Sequence, residues 1–131
     1  MPKLNNLTEL AEFLKKMRNN RPDRKLGFDM QWTYLGRENT DHQCGSAMCI
    51  GGWVQHHNKE TRRLGVTDAV MTICPDGTDP NQVEELCYPD NTNNGEKDAY
   101  AATPQQAARA IEILRDTGFC DWDRAMNEVA A

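Results

Sequence analysis

Two adjacent glycines, Gly51-Gly52, interrupt a segment whose apolar spacing is helical. With Ser46 as N-cap, Cys49, Ile50, Trp53 and His57 recur at intervals of three and four residues, which predicts a helix from Ser46 to about His57. Glycine costs a helix on the order of 1 kcal/mol per residue relative to alanine, so something must offset the pair. Close approach of another backbone is the usual reason. The segment is therefore expected to be a central helix, packed through its glycine face among the amino-terminal helix and the helix that starts at Pro104.

Those two neighbours are legible from their caps and stripes. Leu7, Leu10, Ala11, Leu14 and Met17 form one apolar stripe that Asn6 can cap, with Asn19-Asn20 and Pro22 as the expected stop. Thr103-Pro104-Gln105-Gln106 combines a Thr N-cap, Pro at N1 and Gln at N3, a capping box. Ala107, Ala110, Ile111 and Leu114 follow on one face, and Gly118 ends the helix. A short helix is predicted after Asp79-Pro80, with Val83, Leu86 and Cys87 inward and Tyr88-Pro89-Asp90 as its stop. Another follows Asp121, carrying Trp122, Ala125, Met126 and Val129. Residues 28 to 35 fit a strand or a short helix equally well, and a short strand is allowed from Val66 to Ile73. The polar stretches 36–43 and 91–98 read as exposed loops.

The fold class that follows is mainly α: a small single-domain helical bundle with irregular loops and room for one short strand pair. A length of 131 residues suits one domain. No apolar run approaches the roughly 20 residues that cross a bilayer, and Met1-Pro2-Lys3-Leu4 lacks the apolar stretch of a secretory signal. A cytoplasmic protein without membrane attachment is expected. Five cysteines, irregularly spaced, argue against a disulfide framework and for reduced, buried thiols.

The formal charge of -5 is unevenly spread. Residues 1–63 hold eleven Lys or Arg against seven Asp or Glu, whereas residues 64–131 hold four against thirteen. General nucleic-acid binding is not expected of such a chain. The basic cluster of Lys15, Lys16, Arg18, Arg21, Arg24 and Lys25 surrounds a helix end, where cations favour the carbonyl pole.

Chemistry is concentrated between His42 and His57. His42, Cys44, Cys49 and His56 have the donor types of a zinc site, which needs four ligands within about 2.3 Å of one ion. A helix rises about 1.5 Å per residue, placing Cys49 and His56 roughly 10.5 Å apart. Only His42, Cys44 and Cys49 could then converge, with a fourth ligand from Cys74, Cys87 or Cys120. A thiol at the helix start would have its thiolate favoured by the dipole, but a base and an oxyanion site must join it. His56 and His57 lie two or more turns away. The four intervening residues exclude a Cys-x-x-Cys redox motif. Gly45-Ser46 could bind an anion but lacks the Lys of a phosphate-binding loop. Trp32, Tyr34, Trp53, Tyr88 and Trp122 read as core anchors.

The run Cys44-Gly45-Ser46-Ala47-Met48-Cys49-Ile50-Gly51-Gly52-Trp53 resembles the signature Cys-Gly-Thr/Ser-x-x-Cys-x-x-Gly-Trp/His of a family of small bacterial and phage proteins whose function is uncharacterised. Phe28-Asp29-Met30 precedes it, and Leu64-Gly65-Val66-Thr67, Leu86-Cys87-Tyr88-Pro89 and Thr103-Pro104-Gln105-Gln106-Ala107-Ala108 follow, similar to the family's later elements. The resemblance covers about Phe28 to Trp122. It departs at Cys87, where an aromatic is more usual, and in the polar stretch from Cys74 to Pro80. It implies a small helical domain in a phage or mobile-element setting and brings no catalytic residues.

Together these features point to a non-catalytic binding protein without a cofactor, an accessory factor that binds or inhibits a host or defence protein, with the acidic second half facing a basic groove. A second reading is a protein that sequesters a small nucleotide ligand through Trp32, Ser46, Arg62 and Arg63. A third is a zinc-binding or thiol-dependent protein built on His42, Cys44 and Cys49.

Overall fold

The computed structural model describes residues 3–17, 27–28, 47–48, 50–88 and 102–129. The chain is mainly helical. Helix α1 runs Leu7–Lys15, α2 Ile50–His57, α3 Val66–Met71, α4 Pro80–Cys87, α5 Pro104–Thr117 and α6 Trp122–Glu128. Two short strands, β1 at Gly27–Phe28 and β2 at Ala47–Met48, pair in parallel, Gly27 with Ala47 and Phe28 with Met48.

The predicted caps form. The Asn6 side chain accepts from the Glu9 amide at 2.8 Å, and Leu7, Leu10, Ala11 and Leu14 are buried beneath α1. That helix ends at Lys15, earlier than the expected stop, and Asn19, Asn20 and Pro22 lie outside the described residues. At α5 the Gln106 amide donates to Thr103 Oγ1 at 3.1 Å while Thr103 N–H donates to Gln106 Oε1 at 2.9 Å. Gly118 closes it with φ of 82°, a left-handed conformation that side chains with a Cβ resist.

Helices α1 and α5 form the main pair. Leu10, Leu14 and Ile111 are wholly buried, each such side chain contributing about 1.5–3 kcal/mol of burial free energy. The rim of the pair is polar. Gln105 Nε2 donates to the carbonyls of Lys15 at 3.1 Å and Met17 at 2.8 Å, and the Lys15 ammonium pairs with Glu112. Helix α6 also packs on α5, where Arg109 meets Glu128 at 2.7 Å and Gln106 Nε2 donates to Val129 O at 2.9 Å.

Three expectations need correction. The glycine-bearing helix begins at Ile50, because Ala47–Met48 are taken up by the strand pair, while Ser46, its expected N-cap, lies outside the described residues. Residues Val66–Met71 are helical, not a strand: Val66, Ala69, Val70 and Ile73 are all buried, at the spacing of one helix face. The chief neighbour of α2 is α3, while α1 reaches α2 through the ring of Phe13. The reason is at Gly51, where an added Cβ would lie within 3.0 Å of Val66 Cα and overlap that residue's side chain. The glycine admits the start of α3. The expected close approach is real, but its partner is α3, in the segment whose composition allows a strand.

Candidate functional site

The carboxyl end of α2 holds a buried polar and aromatic cluster. Gln55, His56, His57, Asn58 and Thr61 are all buried. Phe13 lies 4.6 Å from the His57 ring, edge-on, and 5.2 Å from Trp53, whose ring stands 5.4 Å from His56. Arg62 folds back on the helix end, donating from Nε to Gln55 O at 3.0 Å and from Nη2 to His56 O at 2.8 Å. A cation at the carbonyl pole of a helix is favourable. Gln55 Nε2 donates to Leu64 O at 2.7 Å. Asn58 holds the amino-terminal segment, accepting from Leu4 N and donating to Leu4 O. Every bond named here binds one part of the chain to another.

This settles where several candidate residues stand. Arg62, expected to meet a ligand, is committed to the carbonyls of α2, while Arg63 is exposed at the surface. Trp32, Ser46, His42, Cys44 and Cys49 lie outside the described residues. Among the described residues no three His, Cys, Asp or Glu side chains converge as metal ligands. No helix among them is long and apolar enough to cross a membrane.

The described thiols are ill suited to nucleophilic work. Burial pushes the Cys74 thiol up to about 11, and its Sγ donates to Val70 O at 3.3 Å. Cys120 is pushed up to about 12, by burial first and then by the carboxylates of Glu85 and Asp121. A thiol that stays protonated at neutral pH is a poor nucleophile and ligand.

A second region is exposed. Asn81, Glu84, Glu85 and Tyr88 fall at helical spacing on α4 and line a shallow depression of about 230 Å³. Asp79 caps this helix, accepting from the Asn81 amide at 2.9 Å, and Pro80 occupies its first turn. Its inner face, with Val83, Leu86 and Cys87, is buried. The α5–α6 turn is tied alongside: Cys120 N–H donates to Gln82 Oε1 at 2.7 Å, and the buried Trp122 donates from its indole nitrogen to Glu85 O at 3.1 Å. Tyr88, read from the sequence as a core anchor, is 51% exposed. Phe119 in the turn is 65% exposed and drew no notice in the sequence. The i, i+3, i+4, i+7 set on the outer side of α4 was the available signal for this surface.

Against models of protein families, curated proteins and solved structures, the chain gives no match.

Proposed function

We propose that the chain is a non-catalytic binding protein, a phage or mobile-element accessory factor that occupies a host or defence protein in the cytoplasm. The observation that carries this reading is the corner formed by α4 and the α5–α6 turn. There Tyr88 stands exposed beside Glu84 and Glu85, and Phe119 stands exposed in the adjoining turn, within the half of the chain that holds thirteen acidic residues against four basic ones. Exposed aromatics on a rigid support are the side chains that anchor protein interfaces, and surrounding charge steers the encounter. The resemblance to small phage proteins supports the setting. The nucleotide-sequestering alternative is disfavoured by Arg62, whose guanidinium is engaged with the end of α2.

The test is affinity capture from bacterial lysate at low and at physiological salt, with the partner identified by mass spectrometry and its binding reproduced with purified components. One partner retained at physiological salt, and more strongly at low salt, is expected. Recovery of none at either salt would overturn the proposal.

A further inference from the structure

We infer that the α4 face and the adjoining α5–α6 turn form one docking surface for a basic segment of a partner protein. Its lysine or arginine side chains would lay their stems on Tyr88 and Phe119 and direct their charged heads to Glu84 and Glu85. The inference rests on the binding function proposed above and names the surface and the chemistry of its occupant.

Among the described residues, Tyr88 and Phe119 are the large hydrophobic side chains that stand exposed. They are 31 positions apart in sequence, yet both belong to this corner. The turn runs along α4 in register, Cys120 beside Gln82 and Trp122 beside Glu85. Phe119 is thereby held near the level of Gln82, and Tyr88 closes the helix six residues further on. At about 1.5 Å of rise per residue the two rings are separated by roughly 9 Å along the axis. Three residues of extended chain, at about 3.3 Å each, bridge such a gap.

Rigidity is the second part. The turn is fixed by Gly118 in its left-handed conformation and by Phe119 N–H donating to Thr117 Oγ1 at 3.1 Å. Asp121 accepts from the Arg124 amide at 3.0 Å, which starts α6. A turn whose backbone is already fixed loses little backbone freedom on binding.

Charge decides the occupant. Glu84 and Glu85 line the depression together with Tyr88, and the carboxylates of Glu85 and Asp121 lie close enough to Cys120, next to Phe119, to raise its thiol further. Among the described residues, Arg124 pairs with Glu128 at 2.8 Å and Arg115 with Asp116 at 2.8 Å. The surface is net acidic with two apolar contacts. Lysine and arginine side chains offer both an apolar stem and a cation that favours an aromatic face.

The test is a titration of ¹⁵N-labelled protein with a short capped peptide of lysine, arginine and leucine. A peptide with glutamate in place of its basic residues serves as control. Amide shifts concentrated at Asn81, Glu84, Glu85, Tyr88, Phe119 and Cys120, absent with the control, are expected. The double variant E84Q/E85Q should bind at least about tenfold more weakly and Phe119→Ala about fivefold more weakly. Glu84 and Phe119 are exposed and Glu85 is partly exposed, and unchanged melting temperatures would confirm that the variants fold.

Shifts spread equally over Glu9, Glu12 and Asp68, or variants that bind as the parent does, would overturn the inference. So would corner shifts that follow protein concentration without peptide, since a second copy would then be the occupant. The titration needs no host partner. A failed lysate capture with intact peptide binding therefore removes only the broader proposal, and a captured partner indifferent to E84Q/E85Q removes only this surface.

Discussion

Asn58 grips Leu4 with both atoms of its amide: Leu4 N–H donates to Asn58 Oδ1 at 2.8 Å, and Asn58 Nδ2 donates to Leu4 O at 2.7 Å. The two residues are 54 positions apart and both are buried. One side chain thus stands in for a backbone ladder, fixing the approach to α1 against the end of α2. Removing it strands two buried backbone groups, each costing about 1–3 kcal/mol when unsatisfied. Asn58→Ala is therefore expected to lower stability by about 2–6 kcal/mol in urea denaturation. Asn58→Asp keeps the acceptor but loses the donor and sets a carboxylate against the Leu4 carbonyl, so it should also destabilise.

Acid should weaken the α1–α5–α6 junction through Glu112. Burial alone would raise this carboxyl, but hydrogen bonds from Lys15 and Arg109 outweigh it and hold its pKa below 4.5. The folded value is depressed, so the stabilisation is fully present above about 4.5, the unfolded value, and is lost as pH falls through the lower folded value. Denaturation midpoints measured from pH 6 down to pH 3 should fall for the parent chain and fall less steeply for Glu112→Gln.

The thiols make a chemical prediction. A Cys74 pKa raised from 9.0 to about 11 leaves about a hundredfold less thiolate near pH 8. Iodoacetamide labelling with peptide mapping should find Cys74 and Cys120 at least about a hundredfold slower in the native protein than in guanidinium, judged by the same thiolate argument. Native rates equal to the unfolded ones would show those thiols to be accessible and ionised.

Capping chemistry is local, and that is why so much of the helical framework could be read from sequence. Asn6, Asp79-Pro80, the Thr103 and Gln106 pair, Gly118 and Asp121 each act within four residues of themselves. What escaped was decided by distant partners. Ala47 is held in a strand by Gly27, so the helix after it starts later than its own periodicity suggests. The β-branched Val66, Thr67, Val70, Thr72 and Ile73 favour strand by composition, although burial of Val66, Ala69, Val70 and Ile73 follows the helical period. Arg62 has the chemistry of a ligand-binding residue, and the fold turns it onto the carbonyls of Gln55 and His56, a contact that no spacing in its own segment announces. Tyr88 matched the general habit of aromatics to be core, whereas its exposure depends on how α4 packs on α3 and α5. His42, Cys44 and Cys49, which prompted the metal and thiol readings, lie outside the described residues.

The central structural claim is that the glycine-studded helix is architecture, its Gly51 present to admit Val66. In an ordinary exposed helix, Gly→Ala would add about 1 kcal/mol of stability. Here the added methyl meets the backbone of α3, and overpacking of this kind costs about 1–3 kcal/mol. Equilibrium denaturation of Gly51→Ala measures the balance directly. A loss of about 1–3 kcal/mol is the result predicted from the contact, and a variant more stable than the parent would contradict it.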